Sequence, residues 1–153
     1  MKIFIGADHR GFELKEELKD FLKELEYSVE DLGAHTLDPN DDYPVYAKKV
    51  AEAVLEAGKE KSKIVRGIVI CGSGVGVDIV ANKIDGIRAG LGINAEQIES
   101  ARRDDDINVL SIAANQTSIS NAREMVKAFI DTEFDTAERR ARRLKAIDDI
   151  EKK

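Results

Sequence analysis

Short apolar runs rich in β-branched residues alternate with amphipathic stretches along the chain, and this alternation limits the fold more than any other feature. Between the runs, apolar residues recur at helical spacing, as they do from Phe12 to Leu25. Strands that alternate with helices favour an α/β fold with a parallel, doubly wound, five-stranded sheet and right-handed crossovers. A C-terminal helix that starts near Asp135 completes the predicted fold. The runs predicted as strands are Lys2–Ala7, Ser28–Leu32, Gly67–Cys71, Ile87–Ile93 and Asn108–Ala114.

Length and composition narrow the class of protein. With 153 residues, no internal repeat and no low-complexity linker, the chain is predicted to form one domain, 1–153. A net charge of −6 does not favour binding to the negatively charged backbone of nucleic acid. The single cysteine excludes an intrachain disulfide and favours a reducing compartment. The sequence has no signal-peptide pattern and no apolar run near the roughly 18 residues of a membrane span, so we expect a cytoplasmic protein without a membrane partner.

A glycine loop directly follows the most apolar of the predicted strands. Gly72, Gly74 and Gly76 form a G-x-G-x-G pattern, whereas the dinucleotide-binding fingerprint requires its third glycine at Val77. The Gly-Lys-Ser/Thr ending of a P-loop is also missing from the sequence. The pattern therefore favours an anion cradle, in which backbone N–H groups at a helix N-terminus face a negative ligand. The alternative is a tight turn that needs positive φ angles.

Three side chains at the ends of predicted strands carry candidate chemistry. Cys71 joins its strand to the glycine loop, where a thiol that faces a helix N-terminus is activated as a base or nucleophile. The alternative is a small hydrophobe buried at the end of a strand. Asp8 and His9 follow the first strand, and a carboxylate beside an imidazole suits hydroxyl binding or proton transfer. The alternative for this pair is a helix cap and an exposed histidine.

The C-terminal segment concentrates positive charge. Asp135 and Glu138 fit a capping box at the start of a helix. Four arginines then crowd the first turns, where the helix dipole disfavours cations. Arg139 and Arg143 lie four residues apart on one helix face, and two guanidinium groups in that arrangement can clamp a phosphate. The alternative is a solvated charged face that pairs with nearby acidic residues.

Six parts of the sequence occur together in one order: GADHRGF (6–12), DYPVYA (42–47), GIVICGSGVG (67–76), ANKIDGIRA (81–89), NVL (108–110) and the pair Arg139 and Arg143. In this order they resemble the type B ribose-5-phosphate isomerases and their galactose-6-phosphate isomerase relatives, over nearly the whole chain. The resemblance implies Rossmann-like subunits in a homodimer, often paired into a tetramer, with active sites between chains. It also implies that the C-terminal helix, about residues 136–152, packs on a partner subunit.

The same resemblance implies a reaction. A phosphorylated sugar is converted between its aldose and ketose forms through a cis-enediolate, without a metal or an organic cofactor, as in the pentose phosphate pathway. Cys71 is then the base that moves a proton between C2 and C1. Ser73 and the backbone amides of the glycine loop, at Gly72, Gly74 and Gly76, stabilise the enediolate as an oxyanion hole would.

The resemblance also assigns the contacts to substrate. Side chains that contact the sugar and its phosphate end are Asp8, His9 and Tyr43, while Arg139 and Arg143 hold the phosphate. Together with the catalytic residues, these positions make up most of the expected active site.

The sequence departs from the family pattern at several positions, and one departure is Ala137-Glu138 in place of a Gly-Gly before the first C-terminal arginine. Asp104 stands where the family has the histidine that opens the furanose ring, and Asp105 stands where it has an asparagine. Asn115 replaces a further phosphate-binding arginine. Since an ordinary aspartate is a weak base near neutral pH, Asp104 in the catalytic role predicts poor ring opening and a preference for open-chain substrates. A glutamate base found in part of the family would fall on Val77, next to Asp78.

Two other functions compete with the isomerase. The departures at positions 104, 105 and 115 support a non-catalytic sugar-phosphate-binding subunit of a heteromeric isomerase. A flavodoxin-like nucleotide or flavin binder would share the fold, but an aromatic content of 5% disfavours it. We favour the isomerase, because a preserved thiol beside an intact glycine loop has no use in binding alone.

Overall fold

Within residues 1–60 and 62–152, the part of the chain that the computed structural model describes, five strands alternate with six helices. The strands are β1 (Lys2–Ala7), β2 (Ser28–Asp31), β3 (Val65–Cys71), β4 (Ala89–Leu91) and β5 (Val109–Ala113). The helices are α1 (Phe12–Glu24), α2 (Tyr43–Gly58), α3 (Val75–Ala81), α4 (Ala95–Asp105), α5 (Ile119–Asp131) and α6 (Glu138–Glu151). Not one of these described helices is long and apolar enough to pass through a membrane.

All five strands pair in parallel in the order β2-β1-β3-β5-β4, which confirms the predicted doubly wound sheet. The strand order reverses beside β1, since β2 pairs with one edge of β1 and β3 with the other. Ligands bind at the carboxyl ends of the strands that flank such a reversal. The register pairs Ala7 of β1 with Ile70 of β3, so the loops after these strands leave the sheet at the same level.

Both faces of the sheet are buried under helices. Ile3 and Ile5 of β1 pack in an apolar cluster with residues of α1, α4 and α5. Phe4 points to the opposite face and packs with residues of α2 and α3. Because successive side chains of a strand alternate between faces that are both apolar, the strands read as nearly continuous apolar runs.

Strand β4 is shorter than the predicted run Ile87–Ile93, because side chains hydrogen-bond the backbone at both of its ends. The Asn108 side chain accepts a hydrogen bond from the Arg88 N–H at 2.8 Å and donates one to the Gly86 carbonyl at 2.9 Å. On the other side, the Gln97 side chain bonds backbone groups at positions 91 and 93. Two polar side chains from outside the strand therefore set its limits.

The predicted capping box at the start of α6 is wrong. Ala137 is the N-cap of this helix and has no capping side chain. Asp135 instead accepts a hydrogen bond from the Ala137 N–H at 2.9 Å and pairs with Arg140. The carboxylate thus forms a turn before the helix and binds an arginine of its first turn.

A buried arginine ties the end of α4 to two other segments. Arg102 is 2% exposed. Its guanidinium donates to the carbonyls of Ile107, at 2.6 Å, and Thr132, at 3.2 Å. It also pairs with the Asp106 carboxylate at 2.7 Å. One buried cation therefore binds three acceptors, of which Asp106 also pairs with Arg88.

We predict that Arg102→Met lowers the free energy of unfolding by about 2–4 kcal/mol, because it leaves two carbonyls without their donor and leaves the Asp106 carboxylate with Arg88 as its remaining partner. Arg103→Met is the matched control, since Arg103 is exposed and its loss should change stability by less than about 0.5 kcal/mol. Urea unfolding followed by circular dichroism measures both. Equal midpoints for the two variants would contradict the prediction.

Candidate active site

A cleft of about 520 Å³ opens at the carboxyl ends of β1 and β3, beside the reversal of strand order. It is formed by the loop after β1, the start of α2 and the loop between β3 and α3. Most residues predicted from the sequence for the site line this cleft, namely Asp8, His9, Tyr43, Cys71, Gly72, Ser73 and Gly76. Residues far apart in sequence thus meet where the fold predicts a ligand site.

The glycine loop is held in place by contacts that exclude larger side chains. Gly74 is the N-cap of α3 and has a left-handed φ of 72°, which other residues adopt only at a cost. A Cβ atom on Gly74 would also lie 2.9 Å from the backbone nitrogen of Ala113. A Cβ atom on Gly76 would lie 2.6 Å from the ring of Tyr43. Gly74 itself does not line the cleft, whereas Gly72, Ser73 and Gly76 do. The tight turn and the predicted anion cradle are therefore compatible within one loop.

Cys71 is the last residue of β3 and borders both the core and the cleft. Only 4% of the residue is exposed, and it packs in the apolar cluster under α2 and α3. Its carbonyl accepts a hydrogen bond from the Ala114 N–H at 2.9 Å, which fixes the end of the strand. The thiol is thus a packed, ordered group at the wall of the cleft.

Neither Val77 nor Asp78 brings a carboxylate into this cleft. Val77 is fully buried in the core, and Asp78 is not among the residues that line the cleft. Burial raises the pKa of Asp78, against opposing hydrogen bonds from Ser111 and Asn82. Cys71 is therefore the better placed of the two candidate bases weighed for this end of the sheet.

Asp8 is not the helix cap that the sequence offered as an alternative, since the N-cap of α1 is Gly11; its carboxylate instead closes the turn before this helix. Asp8 is 4% exposed, and its Oδ1 atom accepts hydrogen bonds from the N–H groups of Arg10, at 3.0 Å, and Gly11, at 3.1 Å. These bonds shape the turn between β1 and α1. The same carboxylate borders the cleft, so closing the turn and ligand contact are compatible for Asp8.

His9 is bound to a carboxylate that the sequence reasoning missed. The backbone N–H of His9 donates to Asp41 Oδ1 at 2.9 Å, and its Nδ1 atom lies 2.7 Å from the same oxygen. Asp41 belongs to the polar loop before α2 and lines the cleft. No motif or spacing in that loop distinguished Asp41 from its acidic neighbours.

Arg10 was also missed, although it directly follows the Asp8–His9 pair. A Cβ atom on Gly72 would lie 2.6 Å from Arg10 Nε, so the arginine side chain rests on the backbone of the glycine loop. Arg10 lines the cleft and adds a positive group beside the loop. Its position at the end of a strand was the available signal.

One group of side chains in the described part of the chain has the spacing of metal ligands. Donor atoms of Asp8, His9 and Asp41 lie within 4.8 Å of one another. Both carboxylates already accept backbone N–H groups, and Asp41 also binds the His9 ring. The group is therefore explained by hydrogen bonds, and the predicted reaction needs no metal.

The remaining side chains predicted for the site lie elsewhere: Asp104, Asp105, Arg139 and Arg143. The two aspartates end α4, just before β5, and the two arginines lie in the first turns of α6. Strand β5 starts beside Gly67, which precedes Cys71 by four residues. The two aspartates, which precede β5, therefore lie at least about 13 Å from Cys71 along the sheet. The start of α6 lies at the same end of the sheet as these aspartates, because Arg140 binds Asp104.

Asp104 is held by an arginine of α6. Its Oδ1 atom accepts hydrogen bonds from Arg140 Nε at 2.8 Å and Nη2 at 2.7 Å. These bonds, with the charges of Arg140 and Arg103, lower the pKa of Asp104. In contrast, Arg139 and Arg143 are exposed and form no salt bridge with the residues that the structure describes.

Fold and cleft together define an α/β protein with a ligand site at the reversal of its strand order, where a thiol adjoins a glycine loop. Residues 3–147 match the Ribose/Galactose Isomerase family, and the chain belongs to this family. It is 36% identical over 153 residues to the putative sugar phosphate isomerase YwlF of Bacillus subtilis, an alignment that covers 100% of this chain and 99% of that protein.

Solved structures give the same result. Ribose-5-phosphate isomerase B of Clostridium thermocellum matches with a TM-score of 0.91 and 41% identity, covering 99% of this chain and 98% of that one. Ribose-5-phosphate isomerase B of Mycoplasma genitalium with bound ribulose-5-phosphate matches with a TM-score of 0.91 and 38% identity, covering 99% and 97%. The family predicted from six parts of the sequence is confirmed.

We predict that Gly74→Ala destabilises the protein by at least about 2 kcal/mol, because alanine would be strained at this φ and would contact backbone of β5. Gly58→Ala is the matched control, since a Cβ atom at the end of α2 meets no atom within 4 Å. Alanine there should leave stability unchanged or raise it by up to about 1 kcal/mol. Thermal unfolding compares the pair. A Gly74→Ala variant as stable as the control would refute the strained turn.

Proposed function

We propose that this chain is an aldose–ketose isomerase of a phosphorylated sugar, with ribose 5-phosphate and ribulose 5-phosphate as the first pair to test. The observation that carries the proposal is the position of Cys71, which borders one cleft together with the glycine loop and Ser73. Membership of the Ribose/Galactose Isomerase family supports the same reaction. The relative from Mycoplasma genitalium, with its bound ribulose-5-phosphate, supports the choice of sugar.

In the proposed reaction, Cys71 acts as the base. Its thiolate takes the proton from C2 of the open-chain aldose, and the electron pair of the broken C–H bond forms the C1–C2 double bond of a cis-enediolate. The C1 carbonyl oxygen takes up the negative charge. A proton then passes from the C2 hydroxyl to the C1 oxygen, and the Cys71 thiol delivers a proton to C1, either the original one or one exchanged with solvent, to give the ketose. No metal or organic cofactor is required.

The glycine loop is proposed to stabilise the enediolate. Backbone amides at Gly72, Gly74 and Gly76, with the Ser73 hydroxyl, would donate hydrogen bonds to the oxygen on which charge develops. Such donors contribute most when they are fixed before the reaction. The contacts of this loop with β5 and Tyr43 supply that rigidity.

Asp8, His9 and Tyr43 are proposed to contact the sugar. All three border the cleft, and each is held in place by the fold. Asp8 is fixed by backbone N–H groups, and His9 by Asp41. Tyr43 is fixed as the first residue of α2, against Gly76.

A second copy of the chain is proposed to complete the site. Arg139 and Arg143 lie too far from Cys71 along the sheet to share its ligand, yet they are exposed and free of salt bridges within the described residues. No side chain described for α6 is buried. In a homodimer, α6 of one copy would pack on the other and bring both arginines, with Asp104 and Asp105, to the mouth of its cleft. Two such dimers would form the tetramer.

We predict that Cys71→Ala reduces the exchange of the substrate C2 proton with deuterated solvent by about 10² to 10⁴-fold, the usual contribution of a general base. Binding of the sugar phosphate should survive, because the loop and the arginines remain. Proton NMR in D₂O measures the exchange, and calorimetry measures the binding.

Asp78→Asn is the control for this variant and should leave the exchange nearly unchanged. Exchange that persists in Cys71→Ala near the rate of the unmodified chain would remove Cys71 from the mechanism. An unmodified chain that binds sugar phosphates but exchanges no proton would instead fit the non-catalytic subunit.

We predict that Arg139→Ala or Arg143→Ala weakens the binding of inorganic phosphate and phosphorylated sugars by roughly 1.5–3 kcal/mol, the range for hydrogen bonds to charged groups. Lys145→Ala is the control, since Lys145 is exposed and lies about 120° around the helix from Arg139 and about 160° from Arg143. Calorimetric titration distinguishes the three variants. If they lose the same affinity, the helix acts only as a general basic field.

A further inference from the structure

We infer that His9 and Asp41 form the proton-transfer pair that opens the ring of a cyclic sugar phosphate, with Asp41 as the positioning residue. The inference rests on the proposed isomerase function and adds a step that precedes enediolate formation. Its basis is the arrangement of His9, Asp41 and Cys71 around one cleft. An aldose phosphate that closes into a ring must be opened before its C2 proton becomes acidic.

The geometry fixes which nitrogen of His9 is available. Asp41 Oδ1 lies 2.7 Å from Nδ1 and also accepts the backbone N–H of His9 at 2.9 Å. As a carboxylate oxygen it can only accept, so the neutral ring donates its Nδ1 proton and keeps a lone pair on Nε2. The Nε2 atom lies on the opposite side of the ring from Asp41. With 29% of its side chain exposed and facing the cleft, His9 can receive a proton from a bound ligand.

Burial makes the partner of His9 unusually effective. The Asp41 side chain is 7% exposed. Burial, the charge of Asp41 and a hydrogen bond with its carboxylate raise the pKa of Tyr46, so the Tyr46 hydroxyl lies beside Asp41. Among the described residues, His9 is the one basic side chain within salt-bridge distance of Asp41. Positive charge that develops on the ring therefore faces a carboxylate in a poorly hydrated place.

Asp104 is poorly suited to the same step. Two hydrogen bonds from Arg140 occupy its Oδ1 atom. Its pKa is lowered by these bonds, which weakens it as a base. The cleft residues of the same chain do not include it. We therefore assign ring opening to His9 and not to Asp104, from which only poor ring opening was expected.

The step moves one proton and one electron pair. His9 Nε2 takes the proton of the anomeric hydroxyl, and the electrons of that O–H bond form the C1 carbonyl. The bond between C1 and the ring oxygen breaks, and its electron pair stays on the ring oxygen. That oxygen then takes the proton from His9, which returns to its neutral form. The open-chain aldose is left beside Cys71.

The test compares two reactions in the homo-oligomer as it is purified. Ribulose 5-phosphate cannot close into a furanose, because its O5 is esterified, so deuterium exchange at its C1 needs Cys71 but no ring opening. Conversion of ribose 5-phosphate needs both. We expect Asp41→Asn and Asp41→Ala to lower kcat for ribose 5-phosphate by about tenfold or more. The C1 exchange of ribulose 5-phosphate, which needs no ring opening, should fall by a much smaller factor than kcat for ribose 5-phosphate, and KM reports any loss of the sugar contact made by His9.

Asp38→Asn is the matched control, because Asp38 is an exposed carboxylate of the same loop that bonds only the Asn40 N–H. It should behave like the unmodified chain, and thermal unfolding checks that every variant is folded. Unchanged kcat in both Asp41 variants would overturn the inference. If C1 exchange of ribulose 5-phosphate falls by the same factor as kcat for ribose 5-phosphate, the inference is also overturned. Asp41 would then support folding or enediolate formation and not ring opening.

A second variant gives an independent check. If Asp104→His raises turnover of ribose 5-phosphate about tenfold while exchange at C1 of ribulose 5-phosphate is unchanged, ring opening was limited by position 104 and the inference is wrong. Little change on both substrates supports His9. An unmodified chain that exchanges no proton on ribulose 5-phosphate or on other sugar phosphates would overturn the proposed function, and this step with it.

Discussion

The parallel pairing of β1 with β3 is the contact on which the core and the cleft both depend. It joins the two strands that flank the reversal of strand order. In its register Ala7, the last residue of β1, lies beside Ile70 of β3. The turn at Asp8 and the glycine loop therefore leave the sheet together. A slip in this register would move alternate side chains to the wrong face and would separate the two loops. Folding and assembly of the cleft are thus one event.

The sequence predicted the strands, the doubly wound sheet and most of the cleft, because apolar periodicity and the glycine loop are local signals. It did not predict the partner of His9, since Asp41 lies 32 residues away in a loop without a pattern. The pairing of Asp104 with Arg140 was missed for the same reason, as these residues are 36 positions apart. The predicted helix cap at Asp135 was wrong, because this carboxylate pairs with Arg140, five residues further along the chain.

The two ends of the sheet carry different kinds of charge. At the carboxyl ends, Asp8 and Asp41 are buried and bound by N–H groups or an imidazole. At the other end, carboxylates pair with guanidinium groups of α4 and α6. Arg140 binds Asp104 and Asp135, which fixes the start of α6 while its neighbours in sequence remain exposed. An arginine that serves the fold thereby positions two that are proposed to serve a ligand.

The short outer strands limit how a strand of another molecule can pair with this sheet. Strands β2 and β4 lie at the two edges of the sheet and contain four and three residues. An edge this short offers few free backbone groups to a strand of another molecule. Side chains such as Asn108 already bind the backbone next to β4. Association by sheet extension is therefore disfavoured, and an interface with another molecule would be formed by helices and loops, whose side chains can discriminate among partners.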